Sequence, residues 1–410
     1  MKFDVFFSIC QTPVDEHTPS ERTMFANFFD QVVWADQLGF ETAWVAETHL
    51  SCQVQKENPG AVVPEFKGEI GLNTDILQLA HQIFFRTKKI HVGSAIMNIL
   101  CNGGPIAHAE AIKTFLTLHS LNPNESRRLN VGFAAGRFPF SNTPYGIVPR
   151  TRTEEVAWPI VKGKIFKEAT EIFLRLLKNE NLSSDDIAPQ FLVRADFRSE
   201  EHWRKTQETH RQETGADQQI DSIPLAARWK FDKVGVIPFE APMDLLDLTI
   251  GTHDPDTQEL ANEISATGVF NLSITPSDVI EKTHQKMQDL YQKQGRAWSR
   301  DLMPRTVLVF VNDDDGLTVE EQEAAAQAQA VKAVENYWKA MGNTIDQEKI
   351  DAAVDNSIYG SPQTVAHKIR EKYHPEDRLM IWFDFNNHNN DEVKSMMETF
   401  MKKVVPLVNR

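Results

Sequence analysis

The chain has 410 residues, of which 41% are hydrophobic and 25% are charged, the balance of an ordinary globular protein. This composition excludes a chain that is disordered over most of its length. The 43 Lys and Arg residues against 58 Asp and Glu residues give a net charge of −15, which argues against nucleic acids and anionic membranes as partners.

Strand-like and helix-like segments alternate along the chain. Apolar, β-rich runs predict eight strands, at residues 3–9, 41–46, 90–97, 128–134, 246–251, 269–274, 305–312 and 378–385. Helical apolar spacing predicts helices at residues 21–38, 77–85, 105–121, 159–177, 257–267, 277–292, 318–342, 362–373 and 391–407. Eight βα units predict an α/β protein whose parallel sheet closes into a (β/α)8 TIM barrel.

An open, doubly wound sheet is the alternative architecture. Such a sheet usually has a glycine-rich phosphate loop after its first strand. Residues 10–14 occupy that position here and contain no glycine. We therefore favour the barrel, as a single domain over residues 1–410.

Two stretches lengthen the βα repeat. Residues 180–240 form a polar insertion, and residues 343–361 separate the seventh helix from the helix before the last strand. Long connections in a compact fold are usually functional lids or disordered segments. We expect both to lie on the C-terminal rim of the barrel, with residues 343–361 as a possible lid.

The cysteines and the apolar segments predict the compartment. Cys10, Cys52 and Cys101 are scattered and form no CxxC pair, a pattern that suits a reducing environment. No signal peptide is apparent, and no apolar run reaches the length of a membrane span. The expectation is a cytoplasmic enzyme or binding protein.

Active sites of such barrels lie where the strands end. The polar residues expected there include Glu47, Thr48, His49, Asn98, Thr252, His253, Asn312, Asn386 and His388. Taken alone, each could be a structural hydrogen-bonding residue. No grouping of His, Cys and carboxylates has metal-site spacing, and no GxSxG motif occurs, so we predict no metal.

Two segments suggest a flat, phosphorylated cofactor. Residues 132–137 place small residues, including Ala134 and Gly136, at a strand end and follow them with Arg137, a planar phosphate donor. Residues 251–257 open a helix with Thr252 and Thr257, and a helix N-terminus binds anions. A helix cap and tight packing would explain either segment on its own.

Several blocks, in order, resemble the bacterial luciferase-like family of flavin-dependent monooxygenases. They are the opening MKFDVFF, the stretch LGFETAWVAETHL at residues 38–50, Pro105 and Glu110 after residues 90–96, the glycines of residues 132–136, GSPQTV at residues 360–365, and the closing VVPL. The resemblance covers nearly the whole chain. No single block is decisive, but their shared order is specific.

The resemblance implies a barrel that binds reduced FMN or, in some branches, F420. In the FMN branch O₂ adds to the flavin C4a carbon, and the resulting peroxyflavin oxygenates a small or medium organic substrate. It implies a flavin reductase as the source of FMNH₂, and a homodimer. The flavin would contact Glu47, Thr48 and His49, with the cofactor site completed by Asn98, Ala134, Gly136, Arg137, Arg152, Thr252, His253 and Thr257.

Two departures from the family pattern keep alternatives open. The first His of the family's His-His pair is Thr48 here, and an Arg in the fourth-strand block falls on Ala135. An FMNH₂-dependent monooxygenase is our leading interpretation. An F420-dependent oxidoreductase and a non-catalytic luciferase-type subunit are the alternatives. On this interpretation His49 is the candidate acid or base, and Arg137 or Arg152 must supply the phosphate contact.

Overall fold

The computed structural model describes residues 1–58, 67–136, 138–215, 217–218, 220–273, 275–342 and 347–410. Its strands are β1 Lys2–Phe7, β2 Thr42–Val45, β3 His91–Asn98, β4 Leu129–Ala134, β5 Phe191–Val193, β6 Ser222–Pro224, β7 Leu246–Ile250, β8 Gly268–Val269, β9 Arg305–Val311, β10 Ile358–Gly360 and β11 Arg378–Trp382. Its α-helices are α1 Glu21–Leu38, α2 Cys52–Gln55, α3 Ile76–Arg86, α4 Gly104–His119, α5 Pro139–Asn142, α6 Arg152–Val156, α7 Trp158–Leu177, α8 Glu200–Thr214, α9 Pro255–Ile264, α10 Ser277–Lys293, α11 Val319–Gly342, α12 Gln347–Asn356, α13 Pro362–Lys372, α14 Asn390–Thr399 and α15 Val405–Val408.

Eight of the nine parallel strands in the main sheet form the predicted barrel, and the ninth, β10, pairs with the end of β9. The sheet order is β10-β9-β11-β1-β2-β3-β4-β7-β8, and every neighbouring pair in it is parallel. The chain closes this sheet just after β8, where the Asn271 N–H donates to the Pro304 carbonyl at 3.0 Å and the Thr306 N–H donates to the Asn271 carbonyl at 3.1 Å. These bonds join β8 to β9, so the prediction of a (β/α)8 barrel is confirmed.

Alternation along the strands produces two apolar layers. On β1, Phe3, Val5 and Phe7 pack with the surrounding helices in the main core. Phe6 points the other way, into a smaller cluster inside the barrel together with Trp44, Phe270 and Met380. The interior is therefore filled by bulky side chains, and ligand space lies at its ends.

The insertion at residues 180–240 does not begin on the predicted C-terminal rim. It connects the end of α7 to the start of β7, and both of those points, Leu177 and Leu246, line a cleft of about 780 Å³ that also contains Lys2 at the start of β1. The insertion thus leaves and rejoins the barrel at its N-terminal end. It then reaches the C-terminal end, where Glu213 of α8 accepts from the backbone N–H groups of Arg152 and Thr153 in the connection after β4. Trp229 lies against Gly104 at the start of α4 at the same end.

The predicted lid at residues 343–361 is described in part. Residues 343–346 lie outside the described residues, and most of the remainder forms α12 and β10, with β10 paired in parallel with β9. Within this stretch α12, together with α11, packs against the inward-facing side chains Leu308, Phe310 and Phe385. This helix pair covers the β9–β11 side of the barrel's C-terminal mouth.

Candidate active site

A hydrogen-bonded pair lies where β2 ends. Alternation along the chain places Glu47 and His49 on one side, as expected, and Nε2 of His49 is 3.1 Å from Oε1 of Glu47. The amide Nδ2 of Asn102, in the turn after β3, lies 3.0 Å from Nδ1 of His49. Both side chains of the pair are almost fully shielded from solvent, at 6% exposure for His49 and 3% for Glu47. The imidazole is therefore held at both nitrogens.

Thr48 has a different environment from the two residues beside it. Its backbone N–H donates to the Asn73 carbonyl at 2.9 Å. Its methyl group packs close to the backbone at Gly71, where an added Cβ would lie 3.1 Å from Thr48 Cγ2. Thr48 therefore belongs to the contact between the β2 loop and the segment that precedes α3.

Asn98 organises the loops that follow β3 and β4. Its Nδ2 donates to Oδ1 of Asn142 at 2.7 Å, and Nδ2 of Asn142 donates to the Ala135 carbonyl at 3.1 Å. Gly136 fits against this pair with φ +71°, and an added Cβ there would lie only 2.2 Å from Nδ2 of Asn98. Only glycine allows this close approach in this backbone conformation.

A second glycine packs closely where β7 ends. A Cβ at Gly251 would lie 3.2 Å from Cβ of Ala134 and 2.6 Å from Cδ1 of Ile96, so the side chain of Ile96 already occupies that space. We call the backbone surface formed by Ala134, Gly136 and Gly251 the glycine cradle. None of its three residues carries a side chain larger than a methyl group.

The start of α9 is capped by its own chain. Asp254 accepts hydrogen bonds from the backbone N–H of Thr257 at 2.9 Å and from its hydroxyl at 2.5 Å, while the hydroxyl of Thr252 accepts from the Asp254 N–H at 3.1 Å. His253 is exposed beside them, and partial desolvation lowers its pKa. An anion bound at this helix terminus would therefore lie next to the Asp254 carboxylate, which already accepts from the Thr257 N–H.

The two arginines expected at a phosphate are placed differently. Arg137 lies outside the described residues. Arg152 begins α6, where its backbone N–H donates to Oε1 of Glu213 at 2.9 Å, and its side chain is exposed with no hydrogen-bond partner among the described residues. The structure therefore leaves the Arg152 guanidinium free but does not bring it into contact with Thr252 or Thr257.

The sequence of the chain is similar to that of a known protein family. The sequence model of the luciferase-like monooxygenases matches residues 1–376. The chain belongs to this family. No individually curated protein sequence matches it.

Solved structures of similar fold accompany the family match. The monooxygenase RslO1 from Streptomyces bottropensis has a TM-score of 0.66 at 16% identity, with 99% of each chain covered. The oxygenating constituent of 3,6-diketocamphane monooxygenase from Pseudomonas putida, solved with FMN, has a TM-score of 0.57 at 15% identity, covering 99% of this chain and 98% of that one. An F420-dependent secondary alcohol dehydrogenase, solved with an F420–acetone adduct, has a TM-score of 0.55 at 14% identity over the same shares. At these identities the likeness concerns the fold.

Two further features of this luciferase-like chain are the character of its helices and the grouping of its potential metal ligands. No described helix is both long and apolar enough to cross a membrane. No three described His, Cys, Asp or Glu side chains are grouped as metal ligands would be.

The opposite side of the mouth is aromatic. Trp382 packs against Phe6 with ring centroids 4.6 Å apart and against Phe385 at 4.8 Å, and Tyr337 of α11 reaches Phe385 at 5.6 Å. These rings form an apolar wall next to the interior cluster. The wall is suited to the apolar part of an organic substrate.

Asp384, directly after β11, is a site residue that the sequence analysis missed. Its Oδ2 accepts from the backbone N–H of Ser8 at 3.3 Å, while Oδ1 is buried and has no hydrogen-bond partner among the described residues. Burial raises the pKa of Asp384 to about 6. The sequence signal was its inward position two residues after Trp382, but the predicted strand extended to residue 385 and hid it.

Lys162 is the second missed residue. It lies on α7, and its Nζ donates to the Gly136 carbonyl at 2.7 Å. Strand-end reasoning could not find it, because it is a helix residue that folds back toward the glycine cradle. Together, the described residues offer a flat cradle, a hydrogen-bonded Glu–His pair and a cation at the cradle, with an apolar wall on the opposite side of the mouth.

Proposed function

We propose that the chain is an FMNH₂-dependent monooxygenase that inserts one atom of O₂ into a small or medium organic substrate. The observation that carries the proposal is the glycine cradle beside the Glu47–His49 pair. A Cβ at Gly136 would collide with Asn98, and a Cβ at Gly251 would collide with Ile96, so both positions require glycine and the cradle offers backbone and one methyl group to a flat ring. The family match supports the same chemistry.

The residues of the site fit a flavin. Ala134, Gly136 and Gly251 would lie along the ring system, with Asn98 fixing the two loops by its bond to Asn142. Thr252 and His253 border the cradle where β7 ends, and Thr257 follows in the first turn of α9. Arg152 is a free cation for the cofactor's phosphate, and Arg137, outside the described residues, remains a proposed phosphate ligand. When bound, reduced FMN would supply O₂ activation at its C4a carbon. The protein would orient the flavin and the substrate and exclude water from the site.

His49 is the proposed acid or base. Because the Glu47 carboxylate is an acceptor, Nε2 of His49 carries the proton and Nδ1 accepts from the Asn102 amide. In this tautomer, displacement of the Asn102 amide by a substrate would free Nδ1 to take a proton. Glu47 would stabilise the imidazolium that forms, as a carboxylate orients and supports a histidine in other acid–base pairs.

The substrate and the partners follow from the same site. The aromatic wall of Trp382, Phe385 and Tyr337 favours an organic substrate with an apolar portion. FMNH₂ would come from a separate flavin reductase, and we propose that the chain works as a cytoplasmic homodimer.

An anaerobic titration with photoreduced FMN, followed by mixing with aerated buffer, tests the proposal. We expect saturable binding and an oxidation time course that differs from that of free FMNH₂. Binding of reduced F420 without binding of FMNH₂ would favour an F420-dependent oxidoreductase. Failure to bind either cofactor at high micromolar concentration would favour a non-catalytic subunit.

A further inference from the structure

Lys162 is a half-buried cation whose charge has no carboxylate partner among the described residues. Its single recorded hydrogen bond is to the Gly136 carbonyl at 2.7 Å. An ammonium group has three donors, so two of them are left for another acceptor. Burial lowers the pKa of Lys162, which shows that the charged form has lost hydration without full compensation.

The neighbouring lysines of α7 provide the contrast. Nζ of Lys164 lies 2.7 Å from Oδ1 of Asp196, and Nζ of Lys167 lies 3.9 Å from Oδ2 of Asp256. Each of these partly buried lysines faces a carboxylate. Lys162 faces a carbonyl and the thiol of Cys101, whose pKa is raised by burial so that the thiol stays uncharged. A partly desolvated cation without a counter-ion is a natural site for an anionic ligand.

The position of Lys162 beside the glycine cradle indicates which anionic ligand it would bind. Its carbonyl partner belongs to Gly136, the residue of the glycine cradle that closes against Asn98. The adjoining residue Ala135 stands where the family pattern has an arginine, so the strand-end loop lacks that cation at this point. Lys162 brings a positive charge back to the same loop from the helix that follows it.

We propose that Lys162 binds the phosphate monoester of the flavin, in place of the arginine that Ala135 replaces. The inference rests on the proposed function, because it requires a flavin in the glycine cradle. It makes Lys162 a specificity residue that separates FMN from riboflavin, which has the same ring system and no phosphate.

The experiment compares photoreduced FMN with photoreduced riboflavin, titrated anaerobically into the purified full-length chain and followed by quenching of tryptophan fluorescence. We expect the wild type to bind FMN at least about tenfold more tightly than riboflavin, the size of one charge-assisted contact. Lys162→Met should reduce that preference about tenfold by weakening FMN binding alone, and Arg137 and Arg152 would account for any preference that remains. Lys162→Arg should retain it, and inorganic phosphate should compete with FMN in the wild type only.

Lys167→Met is the matched control, since it removes a cation from the same helix that already has a carboxylate neighbour. It should leave both dissociation constants within about twofold of the wild type. An unchanged FMN-to-riboflavin ratio in Lys162→Met would overturn the role of Lys162 while leaving the flavin site intact. Equal binding of the two flavins by the wild type would do the same. A wild type that binds neither flavin would overturn the proposed function, and this inference with it.

A thermal unfolding curve of each variant shows whether the substitution has disturbed folding. Because riboflavin binding reports on the ring site, a variant that binds riboflavin normally is correctly folded at the cradle. If Lys162→Met loses both flavins, the Lys162→Arg variant decides: retention of the FMN preference supports the phosphate contact, and its loss overturns it.

Discussion

The two sides of the barrel mouth differ in how they satisfy their polar groups. On the β2–β3–β4–β7 side, Asn98 donates to Asn142, which donates to the Ala135 carbonyl, at 2.7 Å and 3.1 Å. The ring of His49 bonds the Asn102 amide at 3.0 Å, and its backbone carbonyl accepts from the Ser141 hydroxyl at 3.3 Å. On the β9–β11 side, aromatic rings dominate, and Oδ1 of Asp384 and Nε1 of Trp382 make no hydrogen bond of normal geometry among the described residues. A weak interaction between these two side chains lowers the pKa of Asp384 by less than burial raises it. The polar side is preorganised for one ligand, whereas the aromatic side has unused hydrogen-bonding capacity in an apolar wall.

The preorganised side should be the more sensitive to a single added methyl group. We expect Gly136→Ala to weaken binding of reduced FMN by more than about a hundredfold, because its Cβ would lie 2.2 Å from Asn98 Nδ2 and spread the two loops. Isothermal titration calorimetry under anaerobic conditions measures the effect.

Gly146→Ala is the matched control for that substitution. Gly146 has a similar positive φ, +77°, but an added Cβ there meets nothing within 4 Å. It should cost only about 1 kcal/mol of stability from backbone strain and leave flavin affinity unchanged. Equal losses in the two variants would mean that strain, and not the cradle, governs binding.

The Glu47–His49 pair provides the second test of the polar side. We expect His49→Ala to slow the reaction of bound FMNH₂ with O₂ and substrate by about a hundredfold, with FMN affinity changed only a few-fold. Stopped-flow absorbance and a melting curve on the same preparation measure both properties. A lower melting temperature with an unchanged rate per folded molecule would make His49 a structural residue, and Glu47→Gln should then behave in the same way.

The sequence was sufficient for the barrel but not for its cover. Alternation of Phe3, Val5 and Phe7 against Phe6 is visible in the residues, and β1 forms as predicted. Residues 318–342 were predicted as a barrel helix because their apolar spacing is helical. Helical spacing of apolar residues predicts that one face of a helix is buried, but it does not identify the element that covers this face. In the structure, the apolar face of α11 packs on the mouth of the barrel.

The site was predictable only where it follows strand ends. Glu47 and His49 were expected on one side, and they are hydrogen bonded. The Asp254 cap at α9 was one of two interpretations left open, because a Thr-rich helix start is equally consistent with an anion site and with a capped helix end. Lys162 escaped notice because contact between a helix side chain and a distant loop is set by tertiary packing.

The helices behind the polar side should form the dimer interface. Most apolar side chains of α3 and α4 are buried within the chain, among them Ile83 and Phe115. The exposed ones are Phe85, Leu118 and Leu121 at the ends of α3 and α4, at 85%, 51% and 74% exposure.

Replacement of Phe85 and Leu121 by Ser should weaken dimerisation by about 3 kcal/mol or more, the value of two large apolar side chains. Sedimentation velocity at low micromolar concentration measures it. A wild type that sediments as a single 46.7 kDa species would contradict the dimer.

The smallest expected effect concerns the aromatic side and tests whether its unused hydrogen-bonding capacity costs stability. In the folded chain, burial raises the pKa of Asp384 to about 6 from 3.8. The unfolded chain therefore ionises first as the pH rises, and the wild type loses stability between about pH 4 and pH 6. Asparagine has no such loss, so Asp384→Asn should be more stable than the wild type by about 1–2 kcal/mol at pH 8, with the gain shrinking toward pH 4.

Asp36→Asn is the control, because this buried carboxylate accepts three backbone N–H groups at 2.7–3.0 Å and its loss should destabilise the chain by about 1–2 kcal/mol. Urea unfolding at pH 5 and pH 8 measures both variants. If Asp384→Asn destabilises the chain as Asp36→Asn does, Oδ1 of Asp384 already has a partner, and the contrast between the two sides of the mouth fails. If it stabilises the chain, the wild type keeps an unfavourable carboxylate at the aromatic wall, as expected of a group reserved for a ligand.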